Sequence, residues 1–239
     1  TIPKSPTSQV KVLSYIDVLK HNAPVGKSVA LVGAGGIGFD IADFLTHGVQ
    51  EGDSVRPYNV TDSHAPDTKV DAEKVSAFMR EWGVDQTLQS RSGLLDEVAP
   101  AHIPRKVYLL QRNSSKPGDN LGKTTGWIHR TTMKNRGVDT LNGCKYVEIS
   151  DEGLVIERDG KLSTLPVDTV VICAGQEPLK ELETQLKSNG GQKIFLIGGA
   201  LEAGELDAKR AIDQGTRLAA VIETANTGDV FNADVRISH

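Results

Sequence analysis

Two cysteines in 239 residues leave little room for disulfide or metal chemistry. Cys144 and Cys173 form neither a C-x-x-C pair nor any zinc-ligand spacing. So low a thiol count fits a reducing, cytoplasmic setting. The six histidines (His21, His47, His64, His102, His129, His239) contain no H-x-x-x-H or H-E-x-x-H pair, so no metal site is expected. The absence of a G-x-S-x-G elbow leaves a serine hydrolase without support. No apolar run approaches the ~18–20 residues that span a bilayer. The opening Thr1-Ile2-Pro3-Lys4-Ser5-Pro6 has no apolar signal core, and Thr1 is not an initiator Met, which fits a processed chain or a piece of a longer one. Excess charge is lacking too. With 27 Lys+Arg against 31 Asp+Glu, the net charge of −4 makes no field for gathering nucleic acid or an anionic membrane. No internal repeat is visible. What remains is an ordinary globular balance, 38% hydrophobic and 24% charged, in a chain long enough for one large or two modest domains.

The most telling stretch runs from Lys27 to Ala42. Lys27-Ser28-Val29-Ala30-Leu31-Val32 reads as a short β-branched strand. Gly33-Ala34-Gly35-Gly36-Ile37-Gly38 follows with the spacing G-x-G-x-x-G, and Ile37, Ile41, Phe44 and Leu45 then carry helical spacing. In a dinucleotide-binding turn the first glycine makes the tight bend, the second lets backbone approach a pyrophosphate, and the third lets helix and strand pack closely. The helix start adds unpaired N–H groups and partial positive charge. Gly33, Ala34, Gly35, Gly36, Ile37 and Gly38 are therefore candidate cofactor contacts.

The helix should stop near His47-Gly48, where glycine can cap it. Residues 49–70 are polar with little periodicity and read as a long loop. Residues 71–82 (Ala72, Val75, Phe78, Met79, Trp82) have helical spacing, and the next convincing strand is Lys106 to Gln111. The first crossover thus carries an insertion, and Asp53 and Asp62, inside it, are rejected as ribose-binding acids. Thr124 to Arg136 suggests a helix ending at Gly137. Alternation over 138–149 and 153–165, with Asp151-Glu152-Gly153 and Asp159-Gly160 between, predicts an antiparallel meander. Asp168 to Gly175 reads as a buried strand, 179–188 as a helix, Lys193 to Gly199 as another buried strand, and Glu205 to Val221 as a helix. The fold class is α/β, a Rossmann-like three-layer domain with a meander.

The end of the second strand is where such a fold chooses its cofactor. An acid there favours NAD, and a basic residue accommodates the 2′-phosphate of NADP. Here Gln111-Arg112 stands at that end with Lys116 four positions on, which favours NADP(H); arginine's planar fork matches phosphate oxygens. Gly122-Lys123-Thr124-Thr125 invites a P-loop reading, but the required earlier glycine is Pro117. These residues fit a helix start better, with Thr124 or Thr125 as cap, and Thr124 is also a candidate for lining the nucleotide site.

The order of these parts resembles the second half of two-dinucleotide-domain flavoprotein reductases, in particular the bacterial NADPH-dependent 2,4-dienoyl-CoA reductases. The matching stretches are Lys11–Leu19, Gly33–Asp40, Leu110-Gln111-Arg112, Lys116–Gly118, Leu121–Arg130, Val171–Pro178 and Leu206–Ala219. The resemblance covers roughly residues 11–219; 49–70 and the end after 222 diverge. It implies that residues 1–26 are a linker at the edge of an FAD domain, 27–178 an NADP(H)-binding domain, 179–222 the C-terminal part of the FAD domain, and 223–239 a polar tail. It also implies nucleotide contacts at Cys173, Ala174, Gly175 and Gln176. Flavin contacts would fall at Gly198, Gly199, Ala200, Leu206, Asp207 and Ala208, the last three at a helix start facing the flavin. Relatives often carry Gly-Asp where this chain has Gly198-Gly199, so that acidic contact is absent or made by backbone. The full protein of that family passes electrons from NADPH to FAD, through a 4Fe-4S cluster to FMN, and then to substrate in unsaturated fatty acid β-oxidation. Its N-terminal barrel carries FMN, the cluster and the catalytic acids, so no catalytic residue carries over. The partners implied are NADPH, that barrel and the FAD half of the same polypeptide, with no nucleic acid and no membrane. The alternatives are the ADP- or NAD(P)-binding part of an enoate reductase or amine dehydrogenase, or a stand-alone NADP(H)-sensing module.

Overall fold

The structure is a computed structural model that describes residues 2–46, 72–96, 103–204 and 208–232. The expected cap at His47-Gly48, the loop at 49–70 with Asp53 and Asp62, and the candidate contacts Leu206 and Asp207 lie outside these. The chain divides into two compact units, Thr1–Ala174 and Gly175–His239.

The first unit is built on a five-stranded parallel sheet. Its strands are β1 (Lys11–Ser14), β2 (Ser28–Val32), β3 (Lys106–Leu110), β4 (Asp139–Leu141) and β8 (Thr169–Ile172), in the order β1-β8-β2-β3-β4. The last strand in sequence therefore lies between the first two. The hydrophobic runs of β2, β3 and β8 are buried on both faces, as central parallel strands must be. Side chains alternate between two core layers. Val29 and Leu31 join one with Leu109, Val171 and Cys173, while Ala30 and Val32 join the other with Leu110, Val170 and Cys144. The first layer packs on α2 (Gly36–Thr46), whose Phe39, Ile41, Ala42 and Leu45 form one apolar stripe.

The other layer packs on a three-stranded antiparallel sheet, β5 (Lys145–Ser150), β6 (Gly153–Arg158) and β7 (Lys161–Leu165). The expected meander is there, but the stretch 138–149 is two strands. Gly143, at φ +64°, separates β4, which joins the parallel sheet, from β5, which does not. Among the described residues the unit also has the α-helices α1 (Tyr15–Leu19), α3 (Ala72–Glu81) and α4 (Gly126–Asn135). Ser14 and Asp17 form a capping box at α1, and the two Ser14 hydrogen bonds hold the Asp17 carboxyl below its ordinary range. Arg136, at the end of α4, is buried; its guanidinium pairs with Asp43 of α2 and, at 2.7 Å, with Glu81 of α3.

The second unit contains α5 (Glu181–Asn189), α6 (Gly198–Leu201) and α7 (Ala208–Val221). The strand expected over Lys193–Gly199 does not form. Ile194–Ile197 is only half-buried and pairs with no strand among the described residues, and Gly198 and Gly199 open α6. A continuous apolar run reads as a buried strand only where neighbouring strands flank it, and none does here. Most of residues 223–232, the start of the expected polar tail, are exposed, with a few contacts to the rest of this unit. Ala225 is buried, the rings of Phe231 and Phe195 stand edge to face at 6.1 Å, and Gln214 Nε2 donates to Asn232 at 2.6 Å. No helix of the described residues is long and apolar enough to cross a membrane.

Candidate nucleotide site

Parallel strands bring their carboxyl ends to one edge. Val32 pairs in register with Leu110 on one side and Ile172 on the other, so the segments after β2, β3 and β8 emerge together. That edge is where ligands bind in open α/β sheets.

The three motif glycines divide the work of the β2–α2 turn. Gly33 bends it at φ +115°, and a Cβ there would crowd Ala174 Cβ at 3.0 Å and the Cys173 carbonyl carbon at 3.1 Å. At Gly38 a Cβ would lie 1.9 Å from the Gly33 carbonyl oxygen, so helix and turn touch backbone to backbone. Gly35 is exposed, and a Cβ on it would meet nothing within 4 Å. The middle glycine thus faces open space at the start of an 11-residue helix with no acidic residue in its first turn. Ala34 is buried, whereas Gly36 and Ile37 sit at the helix start, where N–H groups lack intrahelical partners. A Cβ-free surface with convergent N–H groups suits the pyrophosphate of a dinucleotide.

Beside it, the segment after β3 forms a compact loop. Gln111, a candidate contact, is spent inside the protein: its Nε2 donates to the Ser115 carbonyl at 2.6 Å and the Asn113 carbonyl at 3.2 Å. Arg112 is exposed and makes no hydrogen bond or ion pair to any described residue. Burial pushes the Tyr146 phenol up, and the nearby Arg112 charge draws it back down. Lys116 is exposed as well; its backbone N–H donates to Asp119 Oδ2 at 3.2 Å. Two basic side chains therefore stand on a loop whose backbone is held from within. Further on, Arg130 Nη1 donates to the Gly118 carbonyl at 2.9 Å, and Gly118, at φ +84°, packs against Phe39 of α2. Thr125 occupies the cap position of α4 without a side-chain cap hydrogen bond, so the expected threonine cap is not made. Thr124 is exposed in the turn before it.

Cys173 is 6% exposed, and burial pushes its thiol up to about 12. Its backbone and Ala174 form the floor beneath Gly33, and its N–H donates to the Val32 carbonyl at 2.9 Å. Cys144 is buried in the opposite layer, so the two cysteines are separated by the sheet and both are free. Gly175 and Gln176 open the second unit, Gly175 at φ +83°. Within that unit Gly198 donates its N–H to Gln214 Oε1 at 2.6 Å, and its missing Cβ lets Ala211 of α7 approach. Gly199 and Ala200 continue α6 half-buried, and Ala208 is the exposed first residue of α7.

The sequence profile of the pyridine nucleotide-disulphide oxidoreductases matches residues 7–197. The chain belongs to that family. Among solved structures, this pyridine nucleotide-disulphide oxidoreductase chain resembles histamine dehydrogenase from Rhizobium sp. 4-9, with TM-score 0.56 at 16% identity over 100% of this chain and 30% of that one. A complex of 2-naphthoyl-CoA reductase with 2-naphthoyl-CoA matches with TM-score 0.52 at 16% identity, over 88% of this chain and 24% of that one. At that identity the likeness concerns the fold, and the chain spans less than a third of either protein.

Proposed function

We propose that this chain is the NADPH-binding, hydride-delivering portion of a flavin-dependent 2,4-dienoyl-CoA reductase, active as part of a longer cytoplasmic polypeptide. The observation that carries the reading is the division of labour among the glycines: Gly33 and Gly38 are crowded by protein, and Gly35, with Gly36 beside it, faces open space at a helix start. NADPH, when bound, supplies the hydride that reduces a flavin. The chain's own residues would bind and orient it. N–H groups from Gly35 to Gly38 would take the pyrophosphate, Arg112 and Lys116 the 2′-phosphate, and the backbone of Cys173 and Ala174 the floor of the site. Gly198 to Ala200 and Leu206 to Ala208 would contribute to an FAD site completed by the rest of its domain. FMN and the 4Fe-4S cluster belong to the N-terminal barrel, outside this chain. The cysteines take no part in thiol chemistry, since both are buried and lie on opposite faces of one sheet.

Titration of tryptophan fluorescence with NADPH, NADH, ADP and FAD tests this. NADPH should bind more tightly than NADH, and FAD should neither co-purify nor support diaphorase activity. Gly35→Val should abolish nucleotide binding in a folded protein, because its side chain fills the space left for the phosphates. Unchanged NADPH affinity in that variant would remove the site. ADP bound as tightly as NADPH would favour the amine-dehydrogenase reading instead.

A further inference from the structure

The loop that carries Arg112 and Lys116 is fastened by residues that touch no phosphate. Its three middle carbonyls are all taken by hydrogen bonds within the protein. The Asn113 carbonyl accepts from the Gly143 N–H at 2.9 Å and from Gln111 Nε2 at 3.2 Å. The Ser114 carbonyl accepts from Asn142 Nδ2 at 2.6 Å, and the Ser115 carbonyl from Gln111 Nε2 at 2.6 Å. The Gln111 and Cys144 backbones close the strap, with Gln111 N–H donating to Leu141 at 2.9 Å and Cys144 N–H to Gln111 at 3.0 Å. Trans peptides point C=O and N–H opposite ways. The N–H groups of two of these peptides are taken as well, Ser115 N–H donating to Asn113 Oδ1 at 3.0 Å and Lys116 N–H to Asp119 Oδ2 at 3.2 Å, so the backbone between Arg112 and Lys116 is tied on both its polar edges.

Asn142 is the side chain that reaches across from the end of β4. Its amide donates to Ser114, and its Oδ1 accepts from Arg158 Nη2 at 3.1 Å, which fixes the orientation of the amide. Without Asn142 the Ser114 carbonyl can turn outward, bringing negative charge toward the place proposed for the 2′-phosphate and loosening the backbone that aims Arg112. We infer that Asn142, oriented by Arg158, is a positioning residue for cofactor choice: it holds the Ser114 carbonyl away from the 2′-phosphate and so steadies the loop that presents Arg112 to it. This rests on the NADPH reading above.

A double-mutant cycle tests it, with NADPH and NADH dissociation constants measured for the wild-type chain, Asn142→Ala, Arg112→Ala and the pair. Hydrogen bonds to a charged partner support a tenfold or larger loss of NADPH affinity in Arg112→Ala, with NADH nearly unchanged. Asn142→Ala removes no charge, yet should weaken NADPH by about fivefold and NADH by less than about twofold, given that a net hydrogen bond is worth about 1 kcal/mol. In the Arg112→Ala background the Asn142 effect on NADPH should shrink below about twofold, because the two residues act through one contact. Asn142→Leu, closer in volume, repeats the measurement should the alanine variant unfold. A ratio of NADPH to NADH affinity that is unchanged from wild type in both Asn142 variants overturns this inference alone. Equal loss for both nucleotides, or full additivity with Arg112→Ala, also overturns it. A wild-type chain that binds neither nucleotide, or both equally, overturns the NADPH reading and this inference together.

Discussion

A methyl group added at Gly38 would sit 1.9 Å from the Gly33 carbonyl oxygen, while one added at Gly35 would touch nothing. The same residue type in one motif thus serves the fold at Gly38 and, in the function proposed above, the ligand at Gly35. Gly38→Ala should destabilise the protein by at least ~1–3 kcal/mol, the range for overpacking a tight site, seen as a lower urea midpoint. Gly35→Ala should leave that midpoint within ~0.5 kcal/mol, as ordinary surface changes do. If Gly38→Ala were as stable as wild type, the backbone contact between helix and turn would not be what sets their spacing. The glycine pattern was legible in the sequence because each position has a distinct steric duty and no side chain to blur it. Gln111 was less legible. It stands at the strand end where cofactor contacts belong, yet its amide is spent on the Ser115 and Asn113 carbonyls. Asn142 left a weaker trace, a turn-forming Asn-Gly, which says nothing of the loop it reaches.

Among the helices, Arg136 is the tie that periodicity cannot reveal. It closes α4, donates to the Asp43 side chain and backbone carbonyl and to Glu81, and so joins α2, α3 and α4 through one guanidinium. Removing one partner of a buried pair costs about 3–5 kcal/mol when the other is stranded. Asp43 is 45% exposed and can be rehydrated, so Arg136→Met should cost less, about 2–3 kcal/mol by urea unfolding. Arg136→Lys should recover little, since an ammonium cannot span two carboxylates as a fork does. A variant within error of wild type would show the three helices to be held by apolar packing alone. Elements carrying a strong local pattern, such as β2, β3, β8, α2 and α4, were legible from it. The stretch Lys193–Gly199 carries the same apolar signal as β8 but lacks the flanking strands that make such a run a strand. The split of 138–149 turned on which sheet each half joins, a long-range matter that alternation does not encode.

At the scale of the first unit, two core layers share one sheet, and β2 and β8 feed both by alternation. The cysteines report on the layers separately, Cys144 at 1% exposure in one and Cys173 at 6% in the other. Neither should react with a thiol reagent near neutral pH while the unit is closed, and both should react at one shared rate, that at which the unit opens as a block. Two well-separated rates would mean that the layers open independently. The Cys173 thiol also gives this core a pH limit. Its folded value, about 12, lies above the ordinary 9.0, so the unfolded thiol ionises first and its contribution to stability falls as pH rises from about 9 to about 12. The strand order carries a consequence for biosynthesis. β8 is the last strand of the unit to be made, yet it lies between β1 and β2, and Cys173, just beyond it, forms the floor beneath Gly33. A chain emerging from the ribosome holds the glycine turn early but cannot brace it until residue 173 has been added. Until then two apolar strands wait with open edges, a delay that long-range pairing makes slow and aggregation-prone. The support beneath the glycine turn therefore arrives in one late step, and a nascent chain halted before Thr169 has the motif without the floor that the proposed nucleotide site needs.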